Sequence, residues 1–239
     1  MLRKPNYKTI PINIFLVILL IPFIGFGQDS LRNPYGLKII GTMKEYKTSC
    51  QKNRNNVLVD LSQVIPGIQI DLRYATSNNF THKQIYTIPK AYLRLPAATA
   101  LAKAQELLKA YGYGLKVYDA YRPYAATLLF WEVVKDTLYV ASPKTGSRHN
   151  RGCAVDVTIV DLTTGAEVEM PTAYDDFSPK AGVAYIPNKM EPLKNRQMLI
   201  DAMQMNGFTV MPSEWWHYDF TGWERFGLLD IPFEELDKQ

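Results

Sequence analysis

The sequence predicts an α+β fold: a single domain, mainly antiparallel sheet flanked by helices. Three observations point there. Short runs of β-branched, aromatic and alternating residues, bounded by turn residues, outnumber the helical stretches. Few of these runs are separated by a helix in the strand–helix–strand rhythm that a parallel sheet requires. The chain has 239 residues, 47% hydrophobic and 21% charged, which is enough apolar sequence for a core at a length that suits one domain. The same balance excludes a disordered chain and a multi-span membrane protein.

Residues 1–27 read as a leader. Arg3, Lys4 and Lys8 precede an apolar run from Ile10 to Phe26, and Gly25 and Gly27 place small residues before a cut at Gln28. This is the secretory signal pattern. The run is interrupted by Pro22 and is short for a spanning helix, which needs about 20 residues. The expectation is therefore cleavage, export to the periplasm or beyond, and no stable membrane association afterwards. A lipoprotein anchor would need a Cys at the cut, and the first Cys is Cys50. The leader holds three of the 27 Lys+Arg and none of the 23 Asp+Glu, so the net charge of +4 belongs mostly to it. A nucleic-acid partner is not expected.

Residues 28–55 are polar, with Asn33-Pro34 and a run of amides and bases up to Asn56, and read as an irregular N-terminal arm. The domain proper is expected over 56–239. Strands are predicted at 56–61 and 68–74, split by Pro66-Gly67. In 97–111, Leu101, Ala104, Leu107, Leu108 and Tyr111 recur at helical spacing, with Pro96 before them and Gly112 after. A strand follows at 115–120, and Pro123 opens a helix to about residue 136. Residues 154–160 alternate as a strand, and Asp161 to Gly165 form a hairpin-turn candidate. A third helix spans 192–205, closed by Asn206-Gly207, and strands are expected at 208–211 and 216–220.

Chemistry concentrates around two of the three histidines. His82 sits in a polar loop and is read as a non-ligand. His149 lies in Ser147-Arg148-His149-Asn150-Arg151-Gly152-Cys153-Ala154-Val155-Asp156, and His217 in Glu214-Trp215-Trp216-His217-Tyr218-Asp219. A hydrolytic metal site needs about three N or O ligands, an open position for water, and a carboxylate that is not a ligand. Gly152 between His149 and Asp156 lets a loop end carry one ligand and the next strand the other. Asp156 then shares a strand face with Ala154 and Thr158, while Val155, Val157 and Ile159 pack. His217 shares a face with Asp219, and Trp216, Tyr218 and Phe220 take the opposite one. Glu214 stands at the strand entrance, within reach of a water on the metal. A lone His or a strand Asp is more often a hydrogen-bonded structural group; it is the combination that points to a metal. The two Trp either wall a pocket or pack the core. The chain has no CxxC, so a Cys-based zinc site is excluded. Cys50 and Cys153 permit one disulfide or two free thiols.

The motif S-x-H-x-x-G-x-A-x-D from Ser147 to Asp156, followed by E-x-W-H from Glu214 to His217, resembles the VanX-type zinc D-alanyl-D-alanine dipeptidases, in the D-Ala-D-Ala metallopeptidase family. Asp71-Leu72-Arg73-Tyr74-Ala75-Thr76, Tyr118-Asp119-Ala120-Tyr121-Arg122-Pro123 and Met170-Pro171-Thr172-Ala173-Tyr174-Asp175 extend the likeness, which runs from about Val57 to Phe220. It implies that His149, Asp156 and His217 bind one Zn²⁺, which places the zinc site on the sheet. It also implies that Glu214 is the general base and then the acid, and that Arg122 stabilises the oxyanion. Ser147 and Asp175 would hold the ends of a D,D-dipeptide. The chain departs from the pattern at Cys153 and Pro171. The implied reaction is hydrolysis of D-Ala-D-Ala to two D-alanines in cell-wall peptide turnover.

The nearest rival is a zinc D,D-carboxypeptidase trimming longer muropeptides, which would share the ligands. A non-catalytic wall-binding module would have no need of an unligated Glu214. A serine acyl-enzyme of the penicillin-binding class finds its three motifs at Ser49-Cys50-Gln51-Lys52, Ser77-Asn78-Asn79 and Lys144-Thr145-Gly146. The first lies in a polar arm and the third follows Ser142-Pro143, whereas that mechanism needs a buried helix start and a strand.

Overall fold

Five strands form the central sheet of the computed structural model, which describes residues 33–238. In chain order they are β3 (Gln69–Ile70), β5 (Tyr113–Asp119), β6 (Ala154–Asp161), β7 (Phe208–Met211) and β8 (Glu214–Phe220). Their spatial order is β3-β5-β6-β8-β7. Only β3 and β5 are parallel; the other three pairs are antiparallel. Two small pairs flank this sheet: β1 (Ile39–Ile40) with β9 (Leu228–Leu229), and β2 (Leu58–Asp60) with β4 (Tyr92–Arg94). The helices are α1 (Met43–Lys52), α2 (Leu61–Val64), α3 (Leu95–Lys109), α4 (Tyr124–Val133), α5 (Met190–Gln204) and α6 (Phe233–Leu236). Helices flanking a mainly antiparallel sheet are the expected α+β class. The predicted leader, 1–27, lies outside the described residues.

Several elements differ from expectation. The presumed irregular arm contains β1 and α1. Thr42 and Glu45 form a reciprocal capping box at the start of α1, each satisfying the other's backbone amide. Tyr46 is buried, and its hydroxyl accepts a hydrogen bond from the Leu58 amide at 2.7 Å. The helix escapes notice in the sequence because it is polar overall and buries Tyr46 alone. The second predicted strand, 68–74, is cut to two residues, and Arg73–Ala75 turn as a 3-10 helix that points Tyr74 inward.

Helix α3 starts at Leu95 with Pro96 in its first turn, and buries Ala97, Leu101, Ala104 and Leu108. Tyr111, placed on that face by its spacing, is instead 69% exposed. Gln105 takes part in the buried face, where its Oε1 accepts the Leu115 amide at 2.6 Å. Helix α4 ends at Val133, three residues before the predicted stop. The core is continuous across both faces of the sheet: every residue of β6 except Asp161 is buried. Such a strand has no solvent-facing side, so its polar residues must be paired or functional.

Candidate active site

Cross-strand register builds the site. On the central strand β6, Asp156 pairs with Asp119 of β5 on one side and with His217 of β8 on the other. The fourth member arrives from the turn before β6. Residues His149–Arg151 form a 3-10 turn, closed by Gly152 at φ +67°. That left-handed conformation favours glycine. A Cβ here would also lie 2.6 Å from Leu58 Cδ2, so any side chain would have to displace Leu58 as well. The turn swings His149 over the end of the sheet.

Three atoms then face one point. His149 Nε2 lies 3.1 Å from His217 Nδ1 and 3.4 Å from Asp156 Oδ1, and His217 Nδ1 lies 3.0 Å from Asp156 Oδ1. Ligands held about 2.0–2.1 Å from a tetrahedral zinc would be about 3.3 Å apart, so the triangle matches the ion's coordination edge. The outer nitrogens explain the orientation. His149 Nδ1 is 2.7 Å from the Ala120 carbonyl, and His217 Nε2 is 3.0 Å from Asp219 Oδ1. Each outer nitrogen donates its hydrogen there, leaving both inner nitrogens as lone pairs aimed at each other and at a carboxylate. That arrangement is repulsive unless a cation sits between them, so the donor set fits a divalent metal. Without a metal, a proton fills part of that role: burial opposes charging His217, but Asp156 and Asp219 push it up to about 10. Burial likewise works to raise Asp156, and the two imidazoles hold it well below the carboxylate range. The Tyr174 hydroxyl donates to Asp156 Oδ2 at 3.0 Å, fixing the carboxylate's second oxygen.

A cavity of about 100 Å³ opens on this triangle. All seven residues singled out from the sequence line it: His149, Asp156 and His217, together with Glu214, Arg122, Ser147 and Asp175. Glu214 is buried and its carboxyl makes no hydrogen bond to a described residue; burial, aided by Asp156, pushes that carboxyl up to about 7. Asp175 sits at φ +59°, a strained conformation for a non-glycine residue, and the Tyr74 hydroxyl lies 3.2 Å from both its oxygens. Burial, reinforced by Asp156, holds its carboxyl well above the usual range. Pro171 therefore does not keep the loop from delivering Asp175. Ser147 Oγ accepts the His149 amide at 3.2 Å. His82 lies apart in an exposed loop, and Cys50 and Cys153 are free thiols.

The sequence reading left out the groups that hold these residues. Asp119, fully buried, accepts both Nε and Nη2 of Arg122 on Oδ2, at 3.0 and 2.7 Å, and the Tyr86 hydroxyl on Oδ1 at 3.0 Å. Asn150 ties the Ser147 amide to the Arg122 carbonyl. The Arg122 guanidinium lies over Phe130, 4.6 Å from the ring centroid. Trp216 also departs from expectation. Strict alternation puts it opposite His217, yet both line the cavity. The register between β7 and β8 jumps from Val210↔Tyr218 to Met211↔Glu214, so β8 bulges over 215–217 and turns Trp216 inward. Trp215 packs in the core, with its indole nitrogen donating to Thr172 Oγ1 at 2.9 Å.

Two imidazoles, one carboxylate, an unligated second carboxylate and a buried arginine around a small cavity define a metallopeptidase. Comparison with known proteins narrows the class. The model of the peptidase M15 family, described as D-Ala-D-Ala dipeptidase, matches residues 54–234, and the chain belongs to this family. It is 35% identical over 177 residues to a D-alanyl-D-alanine dipeptidase of Escherichia coli K12, covering 74% of this chain and 91% of that protein. It is 31% identical over 178 residues to one of Enterococcus faecium, covering 66% and 88%. A solved LD-carboxypeptidase that recognises peptidoglycan, LdcB, aligns at 20% identity over 70% of this chain and 69% of its own, with a TM-score of 0.42.

Proposed function

We propose that this chain is an exported, zinc-dependent dipeptidase that hydrolyses D-alanyl-D-alanine to two D-alanines in cell-wall peptide turnover. The observation that carries the reading is the triangle of donor atoms 3.0–3.4 Å apart, set in the same small cavity as an unligated carboxylate, Glu214. The names of the bacterial relatives support the substrate. Export is supported by the basic and apolar pattern of residues 1–27 alone.

His149, Asp156 and His217 would hold Zn²⁺, which when bound supplies Lewis acidity at the scissile carbonyl and lowers the pKa of a coordinated water to about 7. The chain's own residues do the rest. Glu214, with its carboxyl pushed up to about 7, takes a proton near neutral pH and returns it to the leaving amine. Arg122 presents a permanent cation to the charge developing on the carbonyl oxygen, and Asp119 fixes its direction. Burial favours the neutral form of the Asp175 carboxyl, and a substrate ammonium reaching it would offset that cost and draw it to the anion; Ser147 offers a hydroxyl at the cavity wall. Phe80, Phe130, Tyr139 and Phe177 close the cavity with apolar surface. At about 100 Å³ it is well below the roughly 300–1,000 Å³ of a drug-sized pocket, which favours a dipeptide over a longer chain.

Metal analysis joined to a D-Ala-D-Ala hydrolysis assay tests the reading. Zinc is expected in both wild type and Glu214→Ala, and turnover only in the former. Equal rates on D-Ala-ended tripeptides and pentapeptides would make the enzyme a D,D-carboxypeptidase instead. Recovery of the intact chain, Met1 included, from cytosol would refute export.

A further inference from the structure

We propose that Phe233 of α6 is a positioning residue: packed on Tyr86, it maintains the hydrogen bond that holds Asp119, and through it Arg122, in place. The inference rests on the dipeptidase reading, in which Arg122 faces the carbonyl oxygen. Arg122 lines the cavity, whereas Asp119, Tyr86 and Phe233 do not. Asp119 accepts two Arg122 nitrogens on Oδ2 alone, at 3.0 and 2.7 Å. A carboxylate held at one oxygen can pivot about it. The Tyr86 hydroxyl, 3.0 Å from Oδ1, supplies the second point. The aim of Arg122 therefore depends on where the Tyr86 ring lies.

The Tyr86 ring is held by packing. The amides of Tyr86 and Ile85 both donate to the Tyr74 carbonyl, at 2.9 and 2.8 Å, which fixes the backbone but not the side chain. The buried ring meets Tyr74 edge-on, with centroids 5.8 Å apart. Its closer ring neighbour is Phe233, at 4.7 Å and a tilt of 40°. Phe233 is buried too, and also reaches Tyr92 and Tyr121, at 5.9 and 5.8 Å. Tyr121, the residue before Arg122, has a separate anchor: its hydroxyl donates to the Ile231 carbonyl at 2.9 Å and accepts the Ile231 amide at 2.8 Å. Loss of the Phe233 ring would therefore loosen Tyr86 first. Two polar contacts seat α6 beside the Tyr86 segment. Glu234 accepts the Thr87 hydroxyl, and Asp237 pairs with Lys90. Both contacts are exposed, where such pairs stabilise little, so the buried ring carries the brace. In a close-packed core, neighbours shift toward a vacated volume, and here the neighbour is the tyrosine that holds Asp119.

The test joins steady-state kinetics to hydrogen exchange, on metal-loaded protein. Phe233→Ala should lower kcat on D-Ala-D-Ala about 10- to 100-fold with KM within about twofold, as for a reacting group displaced by up to an ångström. Phe233→Leu, which refills most of the space, should recover most of the loss. Leu108→Ala, a buried truncation in α3 that does not line the cavity, measures a purely structural loss: Tm should fall comparably, with kcat near wild type. Tyr86→Phe removes the hydroxyl but keeps the packing, and should lower kcat by a factor similar to that of Phe233→Ala. In that background Phe233→Ala should cost less than about threefold more, because both act through one hydrogen bond. Solvent exchange of the Arg122 Nε–H, read by NMR and slowed in wild type by Asp119, should quicken in Phe233→Ala and not in Leu108→Ala. An unchanged kcat in Phe233→Ala would overturn the proposal, as would an equal loss in Leu108→Ala or fully independent losses in the double variant. Should Phe233→Ala not fold, a wild-type kcat in Tyr86→Phe overturns it instead. If wild type does not turn over the dipeptide, the dipeptidase reading fails, and the exchange rate alone decides the role of Phe233.

Discussion

Replacing Asp119 by Asn tests how the site holds its cation. Asp119 Oδ2 receives two hydrogen bonds from Arg122, at 3.0 and 2.7 Å, and Oδ1 receives the Tyr86 hydroxyl at 3.0 Å. Burial pushes the Asp119 carboxyl up, and Arg122 opposes that shift by stabilising the anion. Asparagine has nearly the same shape. Its amide oxygen can face Arg122 and its NH₂ can face Tyr86, whose hydroxyl can accept. The partners can still pair, but a neutral amide oxygen holds the two Arg122 donors far more weakly than the carboxylate does, so the compensating charge is lost and the guanidinium is freed to shift. Breaking a buried ion pair from one side typically costs about 3–5 kcal/mol. At about 2–4 °C per kcal/mol for a domain of this size, Asp119→Asn should lower Tm by roughly 6–20 °C.

Activity should report a separate effect. If Arg122 stabilises the oxyanion, its misplacement should cost about 100- to 1,000-fold in kcat, the usual effect of losing such a donor. KM should change little, and bound metal should stay near one per chain, because Asp119 contributes no atom to the donor triangle. Thermal unfolding, steady-state kinetics and metal analysis on the same preparation separate the three. A variant that melts early yet keeps wild-type kcat would refute the role of Arg122 at the reacting oxygen.

Three further outcomes are expected. In chelated protein, Glu214→Gln should be more stable than wild type above pH 7 and nearly equal to it near pH 4.5. The folded Glu214 carboxyl sits at about 7 against an ordinary 4.5, so wild-type stability is intact below 4.5 and is lost as pH rises to 7. The gap at pH 8 should be about 3 kcal/mol by urea unfolding, and a gap independent of pH would contradict the burial of an uncompensated carboxylate. Tyr174→Phe removes the hydrogen bond to Asp156 Oδ2 and should weaken metal binding about 10- to 100-fold in a chelator competition, with unfolding in the apo state little altered. Gly152→Ala places a Cβ 2.6 Å from Leu58 in a left-handed backbone, and should cost more than the roughly 1–2 kcal/mol of the backbone term alone.

The donor set and its partner acid were legible along the chain because they depend on local spacing. His149 and Asp156 bracket a glycine that turns loop into strand, and Glu214 precedes His217 by three residues at a hairpin. Apolar period located α3 and β6, and Pro192 with Asn206-Gly207 bracketed α5, for the same reason. The capping box at Thr42 and Glu45 was also present in the sequence, but α1 is polar overall and buries only Tyr46, so no apolar run marks it. What tertiary structure decided was everything set by register between distant segments. Asp119 becomes a neighbour of Asp156 only because β5 pairs with β6 one bulge out of step. Trp216 reaches the cavity only because β8 bulges, and Arg148 gains its stacking partner only when Trp223 folds back past the end of β8. Backbone propensity and residue type act over a few positions, so they name the ligands; which side chains hold those ligands depends on long-range strand pairing, where a slip of one residue would send each of them to the other face.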